Sequence, residues 1–509
     1  MWKHLLDLIS PMSGIRSDGL DTTPNHEAVP VNDHHQQLSK GFNWLGGATI
    51  IAKIIDFSTI LVMLLYLTKE QVGVASLVVS VGMVVEALNG LGTGEALIQT
   101  RSVSRLQLDT LFWYVIGAAI LVSGLVVVAA PYIQMMYGVD GMKTYFLAIA
   151  VKQPLVGAAL IPLAIMNKQL QYERVAIVSV CATLAAAATR ISLGASGAGV
   201  WALVAGYSTS GLYTLIGAYL ARPFRPGLQF QFTAVLPLVR FGIRAGTSNL
   251  AEQMFKNVDY LLVGWFYGAS QLAIYRVAFD VAMEPAMAIG TVINRTALPV
   301  FARVSTVRNH LVQTLTWSLH KIAILVAPLV VALILAANPL MSLIHDHQGG
   351  SYLAAAAPLK LLAMAGLFRV TLQLLSTMMV GTGNPGVAVR ISTATLLFLS
   401  MGITIVGLVF RAHTGIIAVS AIWLSIYPLL LAWGIFYLRR HWDVSIIELA
   451  RAFGGPIIGI AMMVLLVETT RYVIGFSNRK VEIGFVVLTT LITYAGLIMH
   501  ERLRAGPRA

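Results

Sequence analysis

The sequence predicts an all-α polytopic membrane protein with about 14 transmembrane helices. Of its 509 residues, 57% are hydrophobic and only 11% are charged, and its mean hydropathy is +0.78. That composition is too apolar for an ordinary soluble protein. The apolar residues also fall in runs of about 20, the length that a helix needs to cross a bilayer. The net charge of +13 therefore reflects the loops between membrane spans, and no nucleic-acid partner is expected.

The order of the polar and apolar segments along the chain predicts a tail, two lobes of six helices each and a final pair of helices. Residues 1–40 are polar and lack the apolar segment of a signal peptide, which predicts a flexible cytoplasmic tail. The N-lobe occupies residues 41–220, with spans predicted at 42–67, 73–99, 108–130, 144–166, 175–193 and 200–220. The C-lobe occupies residues 241–440, with spans predicted at 241–266, 273–302, 312–337, 352–380, 386–410 and 415–438. The segment 441–509 adds spans at 453–474 and 481–500 and a cytoplasmic tail.

The positions of the basic residues predict the orientation. Of the 35 lysines and arginines, 19 fall on the side of the N-terminus, 6 on the opposite side and 10 within the spans. The positive-inside rule therefore places both termini in the cytoplasm of a multi-pass bacterial inner-membrane protein. Residues 221–240 form a cytoplasmic linker, and because six is an even number both lobes enter the membrane from the same side. The lobes are thus predicted to be parallel repeats.

Several classes of function are excluded by what the loops lack. The longest outward loops have only about a dozen residues, which leaves no room for a soluble catalytic domain, so the protein is not expected to be an enzyme. The sequence has no Gly-x-x-x-x-Gly-Lys-Ser/Thr phosphate-binding loop. Cys181 is the only cysteine, so neither a disulfide nor a cysteine metal cluster is expected. No metal and no cofactor is predicted, with coupling to H⁺ or Na⁺ left open.

Two charge pairs with the same spacing lie inside apolar segments of the two lobes. Lys53 precedes Asp56 by three residues, and Lys256 precedes Asp259 by three. Residues at this spacing share one helix face. Charges at membrane depth are costly and usually face a partner, a cavity or a transport path. The pairs therefore either neutralise each other and fix helix packing, or present lysines to a substrate while the aspartates respond to its binding.

Ten cations and eight acids lie within the predicted spans. This surplus of positive charge favours an anionic transported substrate. Arg276, Asp280 and Glu284 recur every four residues, which fits either a salt-bridge ladder or a cavity-lining strip. Lys152 and Lys360 occupy similar places in the fourth and tenth spans. The cations predicted to bind substrate are Lys53, Lys256, Arg276, Arg295, Lys152 and Lys360. The carboxylates predicted to pair with them or to couple transport to an ion are Asp56, Asp259, Glu86, Glu252, Asp280 and Glu284.

Several sequence blocks resemble one family of membrane proteins. The run Tyr-Leu-Thr-Lys-Glu-Gln-Val-Gly-Val-Ala at 66–75, followed by Leu-Gly-Thr-Gly-Glu-Ala-Leu-Ile-Gln at 91–99, resembles the first helix hairpin of Wzx-type polysaccharide flippases. The block Asn-Val-Asp-Tyr-Leu-Leu-Val-Gly at 257–264 resembles the corresponding hairpin of the second half. The resemblance covers residues 41–440 and departs from the family at Ala273, where glycine is usual. These flippases belong to the multidrug/oligosaccharidyl-lipid/polysaccharide exporter superfamily.

The resemblance implies two six-helix bundles around an alternately opening cavity. It implies transport of an isoprenoid-pyrophosphate-linked oligosaccharide outward across the inner membrane, for exopolysaccharide, capsule or O-antigen synthesis. Membrane lipids and polysaccharide polymerase or export machinery are the expected partners. The alternatives are a flippase for the peptidoglycan lipid precursor, a multidrug or cation antiporter, and a membrane-embedded glycan polymerase or acyltransferase. The last would need a catalytic group in an outward loop, where only His345-Asp346-His347 stands out.

Overall fold

The computed structural model describes residues 31–100, 102–304, 307–410, 413–473, 475–476 and 478–505. These residues are almost entirely helical, and within them the only β-pairing is an isolated bridge between His345 and Ser351. The predicted all-α class is therefore confirmed. Residues 1–30 of the predicted tail lie outside the described residues, whereas helix α1 already begins at Val31.

The chain divides into two compact units, an N-terminal unit, Met1–Trp265, and a C-terminal unit, Phe266–Ala509. The lobe, linker and tail boundaries drawn from the sequence stay predictions. Among the described residues, the N-terminal unit contains seven helices and all but the last two residues of an eighth. They are α1 (Val31–Met63), α2 (Lys69–Glu86), α3 (Thr93–Gln99), α4 (Arg105–Tyr137), α5 (Met142–Lys168), α6 (Tyr172–Ala195), α7 (Val200–Ala221) and α8 (Phe232–Tyr267).

Local sequence signals start two of these helices. Thr68 begins α2 with a capping box, because its side chain accepts a hydrogen bond from the Gln71 N–H while the Gln71 side chain accepts one from the Thr68 N–H. Ser104 and Gln107 form the same arrangement at the start of α4. Each box satisfies backbone donors that the first turn of a helix leaves free.

The predicted span 73–99 is broken in the structure. Helix α2 ends at Glu86, a 3₁₀ turn runs over Asn89–Gly92, and α3 begins at Thr93. Gly92 has a φ of +73°, which is accessible mainly to glycine. A β-carbon on Gly92 would also lie 2.3 Å from the carbonyl oxygen of Gly242 in α8. The backbone of α8 therefore passes directly against the break.

The described part of the C-terminal unit contains nine further helices, from α9 to α17. They are α9 (Ala269–Val304), α10 (Arg308–Leu325), α11 (Ala327–Leu343), α12 (Ala356–Gly381), α13 (Pro385–Val409), α14 (His413–Trp442), α15 (Ile446–Arg451), α16 (Gly454–Val473) and α17 (Arg479–Ala505). The predicted span 312–337 is interrupted at Val326, because Pro328 has no N–H to continue the hydrogen-bond ladder. Gly290 and Gly366 let α9 and α12 approach closely.

Ten helical segments among the described residues are long and apolar enough to cross a membrane. The other four predicted spans fall on α2, α7, α8 and α9, which carry charged or hydroxyl side chains inside otherwise apolar sequence. The total of 14 therefore stays a prediction. Polar groups on long helices of a membrane protein indicate faces that avoid lipid. These four helices are therefore expected to contribute residues to a functional site.

Candidate functional site

Glu86 is the centre of a charged cluster inside the N-terminal unit. Its Oε2 atom accepts hydrogen bonds from Lys152 Nζ at 2.7 Å and from the Tyr207 hydroxyl at 2.6 Å. Lys152 is only 3% exposed, and its Nζ lies 3.3 Å from the centroid of the Tyr207 ring. The carboxylate and the aromatic ring together stabilise a cation that has almost no access to solvent. Helices α2, α5 and α7 each supply one member of this cluster.

A second ion pair joins α1 to α6. Arg190 donates from NH1 to Asp56 Oδ1 at 2.8 Å. The side chains of this pair are 16% and 44% exposed, respectively, so this pair is more accessible than the one around Lys152. Arg190 and Lys152 are close enough for their charges to repel. The two ion pairs therefore form one electrostatic unit.

Two glycines of α7 make room for these cations. A β-carbon on Gly206 would lie 2.2 Å from Arg190 Cγ, and one on Gly211 would lie 3.0 Å from Lys152 Cγ. The aliphatic stems of both cations thus lie directly on the α7 backbone. Because the folded protein already holds the stems in place, the charged ends lose little side-chain entropy when they bind a ligand.

The broken helix contributes polar groups to the same unit. Asn89 lies in the 3₁₀ turn and donates from Nδ2 to the Gln153 carbonyl oxygen at 2.7 Å. Asn89 Oδ1 is enclosed and has no hydrogen-bond partner among the described residues. Gln153 directly follows Lys152. The break in α2 therefore places an unused hydrogen-bond acceptor close to the charged cluster.

The structure places the remaining predicted residues of the N-terminal unit as follows. Lys53 lies on α1, one turn before Asp56, and is exposed. Lys256 is exposed and binds Glu252, four residues earlier on α8, with an Nζ–Oε1 distance of 2.6 Å. Asp259 is buried. Asp56 and Lys256 thus contact charged residues outside the two predicted pairs.

The predicted residues of the C-terminal unit lie on α9 and α12. Arg276 Nε contacts Asp280 Oδ2 at 3.4 Å, which is the first step of the predicted ladder. Glu284, one turn further on, is half-buried. Arg295 is exposed on α9, and Lys360 is half-buried on α12. The structure does not bring Arg295 or Lys360 into an ion pair with any acid among the described residues.

Sequence reasoning missed several members of the N-terminal cluster. The sequence marks Arg190 only as one of the ten embedded cations, and it does not mark Tyr207, Asn89 or Gln153 at all. A signal was present for Arg190, because it is the only charged residue between positions 175 and 195, the apolar and Ala-rich part of helix α6. The partners of these residues lie between 64 and 134 positions away. Spacing rules for one helix cannot reveal such pairs.

Comparison with known proteins identifies the family. The model of a family described as polysaccharide biosynthesis protein matches residues 62–349, more than half of the chain. The chain belongs to the polysaccharide biosynthesis protein family. The match includes the broken helix, the Lys152–Glu86 pair, Arg190 and the Arg276 ladder. The candidate residues Lys53, Asp56 and Lys360 of this polysaccharide biosynthesis protein lie outside the matched range.

Three curated relatives are named for polysaccharide synthesis. The lipopolysaccharide biosynthesis protein WzxC of Escherichia coli (strain K12) is 24% identical over 66% of this chain and 68% of its own length. The teichuronic acid biosynthesis protein TuaB of Bacillus subtilis (strain 168) is 23% identical over 72% of this chain and 76% of its own. The succinoglycan biosynthesis transport protein ExoT of Rhizobium meliloti (strain 1021) is 23% identical over 58% of this chain and 60% of its own. The predicted resemblance to polysaccharide flippases is confirmed.

Solved structures establish the transporter fold. The lipid II flippase MurJ in an inward closed conformation matches with a TM-score of 0.70, at 14% identity, over 90% of this chain and 99% of its own. An inward-facing multidrug resistance MATE family transporter of the MOP superfamily matches with a TM-score of 0.57, at 15% identity, over 77% of this chain and 96% of its own. At these identities the likeness shows the fold alone.

Proposed function

We propose that this polysaccharide biosynthesis protein is a flippase that moves an isoprenoid-pyrophosphate-linked oligosaccharide across the bacterial inner membrane by alternating access. Membership of the family and the transporter fold support a transport role, and no bond is made or broken. The observation that carries the proposal is the Arg190–Asp56 ion pair, in which a partly accessible guanidinium lies close to a buried cation inside an apolar unit. Such a site suits a phosphate-containing headgroup.

The charge balance of the cluster favours an anion. Lys53, Lys152 and Arg190 provide three positive charges against the two carboxylates of Asp56 and Glu86. Lys152 is enclosed and acts by its charge, whereas Arg190 is partly accessible. A planar guanidinium can bind two phosphate oxygens at once, whereas Asp56 provides Arg190 with a single contact, at 2.8 Å. A pyrophosphate headgroup would therefore displace Asp56 from Arg190.

This exchange would link substrate binding to a change of conformation. Asp56 lies on α1 and Arg190 on α6, so the ion pair ties the two helices together. A substrate that takes over Arg190 releases Asp56 and with it α1. A ligand shifts a conformational equilibrium only through such differential contacts. The substrate must therefore compete with the carboxylates that already pair with the cations Lys152, Arg190, Lys256 and Arg276.

The variant Arg190→Gln tests this proposal directly. We expect at least about a tenfold loss of flipping, because one charge-assisted contact to phosphate contributes roughly 1.5–3 kcal/mol. The measurement is the translocation of the lipid-linked oligosaccharide in proteoliposomes containing the full chain. In cells that lack the native protein, the same variant should leave lipid-linked intermediates on the inner leaflet.

Arg190→Lys and Lys53→Gln provide the matched comparisons. Arg190→Lys keeps the charge and should retain part of the activity, whereas Lys53→Gln removes a neighbouring exposed charge and should reduce flipping less than Arg190→Gln. Lys256→Gln extends the test to α8. Full flipping by well-folded Arg190→Gln protein would exclude Arg190 from the mechanism. Transport of the peptidoglycan precursor or of a cationic drug in place of the oligosaccharide would instead favour the corresponding alternative function.

We further propose that an ion gradient drives the cycle, with a carboxyl such as Glu86, Glu252 or Glu284 taking up H⁺ or Na⁺ from the outside. Glu86 is one-third exposed and already shares hydrogen bonds with Lys152 and Tyr207. Neutralising Glu86 would remove the carboxylate that pairs with Lys152, so the charge state of Glu86 would be coupled to the binding of an anionic headgroup. Collapsing the H⁺ and Na⁺ gradients together should stop net transport, measured in vesicles loaded with the lipid-linked oligosaccharide. Unchanged transport would leave only facilitated flipping.

We place both termini in the cytoplasm of the bacterial inner membrane, on the basis of the distribution of lysine and arginine between loops. The oligosaccharide moved outward would then serve a polysaccharide polymerase or export machinery as its next partner. A tag on either terminus should accordingly be protected from protease added outside intact spheroplasts.

A further inference from the structure

A narrow apolar groove runs between α6 and α7 on the surface of the N-terminal unit. Its volume is about 220 Å³, below the roughly 300 Å³ at which sites for whole small molecules begin. The walls come from positions three to four residues apart on each helix, including Cys181 and Ala185 on α6 and Ile216 and Leu220 on α7. Ile216 and Leu220 are 47% and 57% exposed. In a helix that spans a membrane, such an exposed apolar face lies against lipid.

The groove has apolar walls and a cationic end. Apart from Arg174, its polar lining is limited to Cys181 and Tyr213, and the Tyr213 hydroxyl is already hydrogen-bonded to Thr189 Oγ1 at 2.8 Å. Gly217 narrows the floor, because a β-carbon there would lie 3.0 Å from Val178 Cγ1. The volume and the apolar walls suit a segment of one hydrocarbon chain.

Two arginines lie together at the end of the groove that is predicted to be cytoplasmic. Arg174 lines the groove and donates to the carbonyl oxygen of Ala221, the last residue of α7, at 3.1 Å. Arg222 follows directly. Burial and the positive charge of Arg174 lower the pKa of Arg222. Neither guanidinium forms an ion pair with a carboxylate within the part of the chain that the structure describes, so two adjacent cations stay without a neutralising anion.

We propose that this groove binds an anionic glycerophospholipid of the inner leaflet, with one acyl chain between α6 and α7 and the phosphate at Arg174 and Arg222. The charge at the mouth and the apolar walls match the two parts of such a lipid. Two basic groups at a membrane surface contribute about 1 kcal/mol each toward an anionic lipid. The site is separate from the ion-pair cluster and does not depend on the proposed transport activity.

A photoreactive lipid tests this proposal on the full chain. The probe is phosphatidylglycerol with a diazirine in one acyl chain, added to the protein in phosphatidylcholine nanodiscs and illuminated. We expect cross-links on the groove-facing residues of α6 and α7. Unlabelled phosphatidylglycerol should compete roughly 30-fold better than phosphatidylcholine, the factor that two basic contacts represent. Equal competition by the two lipids would overturn the proposal.

Matched variants separate the site from general membrane charge. The double variant Arg174→Gln/Arg222→Gln should abolish the preference for the anionic lipid, whereas Arg439→Gln/Arg440→Gln removes two exposed arginines at the end of α14 and should keep it. Because Arg174 also caps α7, Arg174→Lys and the groove-filling Ala185→Phe are included. The first should retain binding and the second should remove the cross-links. Stronger competition by a polyprenyl phosphate than by phosphatidylglycerol would contradict the assignment to a glycerophospholipid.

Discussion

Replacing Gly92 by alanine should destabilise the N-terminal unit by at least about 3 kcal/mol. The residue has a φ of +73°, and an added β-carbon would lie 2.3 Å from the Gly242 carbonyl oxygen and 2.6 Å from the Gly246 nitrogen. Both neighbours are backbone atoms of α8, so no side chain can rotate away. The backbone at the break would have to change or α8 would have to move. The expected result is a lower thermal unfolding temperature of the detergent-solubilised full chain and less folded protein in membranes.

The variant Gly94→Ala is the matched control. Gly94 lies two residues further on, in the first turn of α3, and its φ is not positive. A β-carbon there would meet Leu160 Cδ2 at 3.6 Å, which is ordinary van der Waals contact. The control should change stability by less than about 1 kcal/mol, since alanine is also the better helix former. Similar losses for both variants would show that the glycine-rich turn tolerates no side chain at all, and that the contact with α8 is not decisive.

The fold class was predictable because lipid imposes a strong constraint on sequence. A helix surrounded by hydrocarbon must be apolar over about 20 residues, and this pattern survives without any knowledge of neighbours. The fifth helix illustrates the result, with a predicted span of 144–166 and an observed helix Met142–Lys168. The ends differ because turns that protrude from the membrane are polar and do not contribute to the pattern.

The break between α2 and α3 was not predictable from hydropathy. Residues 73–99 form one sufficiently apolar run, and the glycines at 90, 92 and 94 are compatible with a continuous membrane helix. What decides the geometry is the approach of Gly242 and Gly246, about 150 positions later in the chain. Such a contact leaves no periodic signal. It is nevertheless this break that places Asn89 beside Gln153.

The candidate site was predictable in its residue types and not in its contacts. Embedded charges such as Lys152, Glu86 and Asp56 were found because the membrane makes them conspicuous. Their partners lie on other helices, and the sequence offers only the helical spacing rule, which led to pairs three residues apart. In the structure Asp56 meets Arg190, 134 positions away. Interhelical ion pairs require the packing to be known first, so the roles of the predicted site residues stay predictions.

The two ion pairs of the N-terminal unit differ in a way that suits different roles. The side chains of the Lys152–Glu86 pair are 4% and 33% exposed, whereas those of the Arg190–Asp56 pair are 16% and 44% exposed. A pair with an enclosed cation holds helices in place, while a more open pair can exchange its anion for a ligand. The first therefore supports the geometry of the second. We therefore expect substitutions in the Lys152–Glu86 pair to change mainly stability and substitutions in the Arg190–Asp56 pair to change mainly transport.

Removing the Glu86 carboxylate should destabilise the N-terminal unit by about 3–5 kcal/mol, the usual consequence of leaving one buried charge without its partner. In Glu86→Gln, Lys152 stays enclosed with only the Tyr207 ring and a neutral amide nearby, while Arg190 adds repulsion. Thermal unfolding of the full chain in detergent, with the fraction of protein that inserts in membranes, measures the effect. Lys152→Gln should be destabilising for the same reason, since it leaves the carboxylate without its cation.

The double variant Glu86→Gln/Lys152→Gln decides what the pair does. With both charges removed, two amides can hydrogen-bond to each other, and the stability should recover to within about 1–2 kcal/mol of the original protein. A folded double variant that still flips lipid-linked oligosaccharide would show that the pair only holds α2 against α5. A folded double variant without activity would place the Lys152 charge in the transport cycle, acting on the headgroup through its effect on Arg190. If the two single losses simply add, the ion pair carries no coupling energy and the proposed support of Arg190 by Lys152 and Glu86 is wrong.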